Sequence, residues 1–151
     1  MSTDYALMAS NLALRFAAVN VTPPSGLGNI RNSTAAPPNK LGANFPQVVV
    51  FPDTGEFDYS TNDRVGLQHF LVRFYLAEIG DISRHTTALL KWLTVLVDQT
   101  YGAFQFAGQA TVLSVKVMGW TIAPLVYATR QYAAIELAVE ITTNERATVV
   151  A

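Results

Sequence analysis

His69 and Arg73 are the residues whose types and spacing come nearest to a reactive pair in this sequence. Four residues apart, they share one face if the segment is a β-strand. A histidine in such a place can serve as a general base, and an arginine can hold an anion. Neither His69 nor His85 has Asp, Glu or Cys ligands nearby, and the HEXXH, GXSXG and Walker A patterns are absent. The sequence therefore predicts no catalytic residue, no cofactor and no enzyme.

Carboxylates stand out in two places. Glu136 and Glu140 share one face of a predicted strand and lie about 13 Å apart at ~3.3 Å per residue, too far for a glycosidase pair. The stretch 53–63 lacks the spacing of a calcium-binding loop. We interpret it as a solvated hairpin loop that can dock a basic partner through Asp53, Glu56 and Asp58.

Composition narrows the class of protein. The chain has 151 residues, a net charge of −1 and 50% hydrophobic residues, and only 14% of its residues are charged, against roughly 25% in soluble proteins. This length predicts a single domain. The charge deficit predicts apolar surface that copies of the chain or partners cover, although a well-buried small domain also explains it. The basic residues are dispersed, so specific nucleic-acid binding is not expected.

Several further features concern the compartment. The sequence has no cysteine, which excludes thiol catalysis, disulfides and a Cys-ligated zinc site. The first ten residues lack the pattern of a signal peptide, and no apolar run reaches the 18 residues of a membrane span. We therefore expect no membrane partner.

The stretch from Asp81 to Gln99 is the clearest helix. Asp81 can accept hydrogen bonds from the free N–H groups of a first helical turn. Apolar residues then recur at spacings of three, four and seven and form one stripe of Ile82, Leu89, Leu93 and Leu96. A second helix is predicted over residues 3–18, capped by Thr3 or Asp4.

A Pro- and Gly-rich segment, 21–44, separates the first helix from the strands. A segment of this length is either an arm that orders on contact with a neighbour or a mobile loop. Strands are predicted over 46–52, 64–78, 111–121 and 125–142, with the last two joined around Ala123–Pro124.

Strand 64–78 has two unlike faces. Phe70, Val72, Phe74 and Leu76 form the predicted core face. The other face is a mixture of polar and apolar residues that suits contact with another subunit: Leu67, His69, Leu71, Arg73 and Tyr75.

Strand 125–142 is too long for the body of the domain. Eighteen residues reach about 59 Å at ~3.3 Å per residue, whereas a globule of this size is roughly 38 Å across. The strand must bend, break at a bulge or project as a hairpin that pairs with another subunit. Its candidate contact residues, with those of the strand before it, are Trp120, Tyr127, Arg130 and Tyr132.

These elements predict an α+β fold in the order helix, strand, strand, helix, strand, strand. Its mostly antiparallel four-stranded sheet carries a long central helix and the N-terminal helix. The sequence resembles the tail terminator, or tail completion, proteins of long-tailed bacteriophages. The resemblance rests on the segments STDYALMASNLALRF, PQVVVF, GLQHFLVRFYLAE, DISRHTTALLKWLTVLVDQ and IELAVEITTNE. It covers most of the chain through pattern, length and character, without a short diagnostic motif, and segment 21–44 has no counterpart.

The resemblance implies a structural virion protein. Such a subunit forms a homohexameric ring on the finished tail tube, stops the polymerisation of tube protein and offers a surface to the head-side neck protein. DNA contacts the ring only in passage through its lumen, which the acidic stretch or Glu136 and Glu140 can line. The location implied is the tail–neck junction of the virion, after assembly in the host cytoplasm.

Three alternatives remain open. One is another head–tail connector or tail tube component. A second is a small-ligand-binding α+β domain with its pocket between helix and sheet. The third is an enzyme that uses His69 and Arg73.

Overall fold

The computed structural model of the chain describes residues 3–60, 62–79, 81–101 and 109–146. These residues form two α-helices, a short 3₁₀ helix and one five-stranded sheet. In chain order the elements are α1 (Tyr5–Arg15), β1 (Asn32–Thr34), β2 (Gln47–Tyr59), β3 (Asp63–Glu78), the 3₁₀ helix (Ile82–His85), α2 (Thr86–Tyr101), β4 (Val112–Tyr127) and β5 (Arg130–Arg146).

The sheet has the strand order β1-β2-β3-β5-β4. All pairings are antiparallel except that of β1 with β2, so the mostly antiparallel α+β prediction is confirmed. The predicted count of four strands and the predicted element order are wrong, because β1 adds a strand before β2. This three-residue strand has no periodic pattern of its own, and its pairing with β2 defines it.

Both helices pack on the same face of the sheet, which we call the inner face. Met8 and Leu12 of α1 and Trp92 of α2 are fully buried there, and the Trp92 ring lies 4.8 Å from that of Phe74. The strands contribute alternate residues to this core: Val48, Val50, Phe70, Val72, Val115, Ile135, Leu137, Val139 and Ile141. Large side chains of this kind each contribute about 1.5–3 kcal/mol when fully buried.

Both helices differ from their predicted bounds at the ends. α1 begins after Asp4, whose carboxylate accepts a hydrogen bond from the N–H of Leu7 at 3.0 Å. Asp81 caps the 3₁₀ helix instead of α2, accepting from the N–H of Ser83 at 3.0 Å. Residues 102–108, between α2 and β4, lie outside the described residues.

Two of the predicted strand boundaries are wrong. β2 continues through the acidic stretch to Tyr59, because pairing with β3 orders residues that look turn-like in isolation. β4 runs through Pro124 to Tyr127, and the hairpin turn falls at Ala128–Thr129. A proline is tolerated there because β4 is an edge strand and its missing N–H is not needed for pairing.

The last strand, β5, does not break at a bulge of its own, which was one of the three predicted outcomes; the bulges lie in its two neighbours. Register shifts occur in β3 between Tyr75 and Ala77, and in β4 between Val112 and Ser114 and between Val117 and Gly119. Each inserts a residue opposite β5, which itself has no insertion.

Segment 21–44 packs on its own domain, contrary to both interpretations of it as a mobile loop or an arm for a neighbour. Val21 and Ile30 are buried in the inner-face core. Leu41 is buried on the opposite face, against Tyr75 and Tyr132. The segment therefore passes around the β1–β2 edge and covers part of both faces.

A tight contact between β3 and β5 yields a stability prediction. A Cβ atom at Gly66 would lie 2.5 Å from Oγ1 of Thr143, which is fully buried. We expect Gly66→Ala to reduce the free energy of unfolding by about 1–3 kcal/mol, as overpacking does, measured by urea denaturation. Thr143→Ala should restore part of the loss in the double variant, since it removes the obstructing atom.

Gly119→Ala is the matched control, because a Cβ there meets no atom within 4 Å. An equal loss at both glycines would show that backbone freedom, and not the contact with Thr143, is responsible.

Candidate functional site

The face of the sheet opposite the helices, which we call the outer face, carries the predicted β3 contact residues. Leu67, His69, Leu71, Arg73 and Tyr75 alternate with the core residues of β3, as the pattern predicts. Their cross-strand partners on β5 are, in order, Thr142, Glu140, Ala138, Glu136 and Ala134. The outer face therefore places the two glutamates directly opposite two of the basic residues.

Arg73 and Glu136 form one ion pair on this face. The Nε of Arg73 donates to Oε2 of Glu136 at 2.7 Å, and its guanidinium lies 4.9 Å from the ring centre of Phe51. Burial alone would lower the pKa of Arg73, but the hydrogen bond to Glu136 and the electrostatic interactions with Tyr75 and Glu136 together outweigh burial, and the pKa is raised. Arg73 is thus held by a carboxylate and an aromatic ring, and it is not free to receive a substrate anion.

His69 belongs to a second cluster around Glu140. Its Nε2 lies 2.9 Å from Oε2 of Glu140, and Nζ of Lys116 lies 3.3 Å from Oε1. The hydrogen bond with His69, followed by that with Lys116, holds the pKa of Glu140 below its usual value. Oγ1 of Thr54 lies 3.3 Å from Nδ1 of His69. Both glutamates of the outer face are therefore matched by cations.

This cluster contains the three groups of a nucleophilic triad in order. The Thr54 hydroxyl is in the place of the nucleophile, the His69 imidazole in that of the base, and the Glu140 carboxylate in that of the orienting group. Catalysis by such a set also needs a site that holds the substrate and stabilises an oxyanion. Neither of the two cavities described below is lined by any of the three residues. His69 and Glu140 are thus part of a charge-paired cluster on the outer face.

Three predicted contact residues lie at the other end of the outer face, in an aromatic cluster. Tyr75 and Tyr132 are buried and their ring centres are 5.7 Å apart, while Tyr127 stacks edge-on to Tyr75 at 5.6 Å. Burial raises the pKa of Tyr75. Leu41 and Phe45 cover this cluster. Tyr75 and Tyr132 are therefore occupied by contacts within one copy of the chain.

A cavity of about 720 Å³ lies between this covering segment and the end of the β4–β5 hairpin. Arg130 lines it and pairs with Glu78 through Nη1 at 3.1 Å. The small-ligand alternative predicts a pocket between helix and sheet. This cavity is instead lined by Tyr132 and Phe45 of the outer face, whereas the cavity between α2 and β4, described next, lies in the predicted place.

Trp120, the remaining predicted contact residue, lies on the inner face. The bulge between Val117 and Gly119 shifts the alternation of β4, so that Trp120 pairs with Leu137 of the core face. Its side chain is nevertheless 54% exposed. It lines a cavity of about 530 Å³ between α2 and β4. We call this cavity the α2–β4 groove and define it by Leu93, Val97, Asp98, Tyr101, Met118 and Trp120.

The five predicted acidic contact residues lie in two separate places. Asp53, Glu56 and Asp58 are exposed on the distal part of β2, beyond its pairing with β1. Glu136 and Glu140 lie within the sheet and are ion-paired. Of these five carboxylates, the three on β2 are exposed.

A second apolar surface lies on α1, outside the predicted contact residues. Leu7 and Leu14 are 38% and 57% exposed, seven residues apart on the side of α1 away from the core, with exposed Ser10 between them. We call Leu7, Ser10 and Leu14 the α1 stripe. The seven-residue spacing of Leu7 and Leu14 is the feature of the sequence that could have indicated this surface.

The α1 stripe and the α2–β4 groove lie towards opposite edges of the sheet. α1 packs on β1 and β2, whereas α2 packs on β4 and β5. The α1 stripe is on the convex surface of a helix, whereas the α2–β4 groove is concave, so the two surfaces are unlike in shape.

No known protein family model matches this sequence. No curated protein sequence is significantly similar to it. Across residues 3–60, 62–79, 81–101 and 109–146, no group of three or more His, Asp or Glu side chains could hold a metal ion. In the same residues no helix is long and apolar enough to cross a membrane.

Proposed function

We propose that this chain is a tail terminator subunit of a long-tailed bacteriophage. It forms a closed ring, a homohexamer, that caps the tail tube, ends its polymerisation and joins it to the neck protein at the head side. The protein acts through surface complementarity, without catalysis or a cofactor, at the tail–neck junction of the virion.

The observation that carries the proposal is the pair of unlike apolar surfaces at opposite edges of the sheet. Monomeric proteins rarely leave such surfaces uncovered. Contacts between unlike surfaces are heterologous, and copies joined in this way form a ring when the rotation between them closes. The α+β architecture and the resemblance of the sequence pattern support the same assignment.

The outer face supplies surfaces for the other partners. Its ion pairs leave little free charge at Arg73, Glu136 and Glu140, whereas the distal part of β2 is exposed and acidic. An acidic surface that lines the lumen would repel DNA and let it pass. The tube protein and the neck protein would bind the two ends of the ring.

Light scattering on the purified chain, coupled to size-exclusion chromatography, tests ring formation. We expect a discrete species of six times the chain mass of 16.4 kDa. A monomer that persists at high protein concentration would contradict the proposal.

Addition of the purified chain to polymerising tube protein tests capping. The tubes should become shorter as its concentration rises. A ring that leaves tube length unchanged would instead favour the alternative of another head–tail connector.

The small-ligand alternative is favoured by two cavities, one of 720 Å³ lined by Phe45, Tyr127 and Tyr132 and one of 530 Å³ between α2 and β4. A monomer that is stabilised against heat by members of a small-molecule library would support that alternative.

A further inference from the structure

We propose that the unpaired edge of β2 over residues 55–59 binds an extended, basic segment of a partner protein, which adds to the sheet as a further strand. We call these residues the β2 free edge. The inference goes beyond the proposed ring and does not depend on it, because the β2 free edge belongs to a single copy of the chain.

The main chain of β2 is paired on only one side in this stretch. β1 runs parallel to β2 and covers Gln47–Val49, whereas β3 pairs with the other side of β2 as far as Tyr59. In the described part of the chain, no strand continues β1 alongside residues 50–59. All residues from Pro52 to Tyr59 are exposed. Such an edge presents free N–H and C=O groups, which an extended peptide can pair with as it adds to the sheet.

Residues 55–59 are the regular part of this edge. A register shift between Pro52 and Gly55 interrupts the pairing with β3, and Pro52 has no N–H to donate. From Gly55 to Tyr59 every residue has a Cα partner in β3, in the order Gln68 to Arg64. Five residues extend about 17 Å at ~3.3 Å per residue, which is the length of a typical strand. The β2 free edge is therefore long enough to pair with one added strand.

The side chains of the β2 free edge differ between the two faces of the sheet. Glu56 lies opposite Leu67, so Glu56 is on the outer face, and Asp58 follows it two residues later. Phe57 and Tyr59 are on the inner face, where they are 41% and 69% exposed and their ring centres are 6.3 Å apart. An added strand therefore meets carboxylates on one face and aromatic rings on the other.

The charges of β2 favour a basic strand. β2 contains three carboxylates, those of Asp53, Glu56 and Asp58, and no basic residue. Within the described residues none of the three forms an ion pair, whereas both glutamates of β5 on the outer face are paired. Pairing with the same edge of a second copy would bring carboxylates together, and nucleic acid would be repelled. Lysine or arginine side chains of an added strand would be complementary.

The inner face sets a different requirement for the same strand. The guanidinium of Arg64 lies 4.8 Å from the ring centre of Phe57 and is paired with Glu145. A further cation there would be repelled, while the exposed rings of Phe57 and Tyr59 offer apolar contacts. The partner segment therefore has basic residues that alternate with apolar ones, since successive side chains of a strand point to opposite faces.

Charged residues also protect strand edges from unwanted pairing. Protection accounts for Glu56 and Asp58, but it does not account for Phe57 and Tyr59, because exposed aromatic rings beside a free edge promote association. The combination of repulsive charge and apolar rings restricts the edge to one kind of strand, as a specific binding surface requires.

A fluorescein-labelled peptide of three Lys-Val repeats is the probe, and fluorescence anisotropy measures its binding. We expect one peptide to bind per chain. The peptide Lys-Lys-Lys-Val-Val-Val has the same composition and charge without the alternation, and it should bind about tenfold more weakly or not at all. Equal affinity for the two peptides would overturn the inference, since binding would then follow charge alone.

N-methylation of the peptide tests the main-chain hydrogen bonds. One peptide carries N-methyl groups on its three valines and a second carries them on its three lysines, so each lacks the N–H donors of one edge while both keep all side chains. At least one of the two should lose binding, because one edge of the added strand faces β2. If both bind as tightly as the unmethylated peptide, strand addition is wrong.

A double variant of the protein, Glu56→Gln with Asp58→Asn, locates the site. It should weaken binding by about fivefold or more, the combined effect of two exposed ion pairs. Both side chains are exposed, so thermal unfolding should match that of the unmodified chain. Unchanged affinity would place the peptide elsewhere and overturn the inference.

The matched control is Glu78→Gln with Asp98→Asn, which changes the net charge equally at two exposed positions away from the β2 free edge. It should bind the peptide as the unmodified chain does, and an equal loss of affinity would show that binding follows net charge. The outcome is separate from that of the light-scattering test. A ring that does not bind the peptide contradicts only this inference, whereas a monomer that binds it contradicts only the proposed function.

Discussion

Trp92→Ala is expected to reduce the free energy of unfolding by about 3–5 kcal/mol, the range observed when a large buried aromatic side chain is truncated. Trp92 is fully buried at the centre of α2, and its ring lies 4.8 Å from that of Phe74 on β3. It fills the space between the helix layer and the middle of the sheet, so truncation leaves a cavity that neighbouring strands cannot close without losing their pairing. Urea denaturation followed by circular dichroism measures the loss.

Two further variants on α2 show whether packing is the cause. Trp92→Phe keeps an aromatic ring and removes the indole N–H, which has no hydrogen-bond partner among the described residues. It should cost less than half as much as Trp92→Ala. Leu90→Ala, at a side chain that is 49% exposed on the same helix, should change stability by no more than about 0.5 kcal/mol. Equal losses at Leu90 and Trp92 would contradict this account of the core.

The importance of α2 could be predicted because helical periodicity is local. The spacing of Leu89, Leu93 and Leu96 identifies one buried side without knowledge of the strands. Alternation in β3 likewise separates Phe70, Val72 and Phe74 from the outer-face residues, and this separation is what the structure shows.

The errors concern elements that depend on distant pairing. Residues 53–59 contain Asp, Gly and Thr and look like a turn, yet they form strand because β3 runs antiparallel beside them. β1 exists only through its contact with β2. Pro124 indicates a strand end in isolation, but an edge strand needs no N–H at that position. Each outcome depends on register, which no short window of sequence contains.

In the candidate site too, some features follow from the local sequence pattern and others depend on the register between strands. That Glu136 and Glu140 share a face follows from alternation, but their opposition to Arg73 and His69 depends on the β3–β5 register. Trp120 and Tyr127 are both predicted contact residues, but they lie seven residues apart on one continuous strand, β4, and therefore on opposite faces of the sheet. The burial of Tyr75 depends on Leu41 of the Pro-rich segment, more than thirty residues earlier in the chain. Contacts that cross elements in this way decide which predicted residues remain on the surface.

Glu145→Ala is expected to destabilise the fold by about 1.5–3 kcal/mol, the typical range for a hydrogen bond to a charged group. Glu145 is 3% exposed near the end of β5, on the side of the sheet where α1 begins. Its Oε1 accepts from the N–H of Thr3 at 2.6 Å, and its other oxygen pairs with Arg64 of β3. Truncation would leave the N–H of Thr3 without its acceptor and loosen the start of α1 from the sheet.

The same carboxylate predicts how stability depends on pH. Burial alone would raise the pKa of Glu145, but the hydrogen bonds from Thr3 and Arg64 outweigh burial and hold the pKa below the ordinary value of 4.5. A carboxylate whose pKa is depressed on folding stabilises the native state above its unfolded pKa, and this contribution is lost as the pH falls through the folded pKa. Stability should therefore decline below about pH 4.5.

Glu145→Gln removes this titration, so its stability should decline less steeply than that of the unmodified chain when urea denaturation is repeated from pH 6 down to about pH 3. Glu140 remains in that variant and also has a depressed pKa, through His69 and Lys116, so part of the decline should persist. Glu56→Gln, at an exposed position on β2, is the control and should follow the unmodified chain. If Glu145→Gln and Glu56→Gln decline with the same slope, the charge of Glu145 does not contribute to linking the start of α1 to β5.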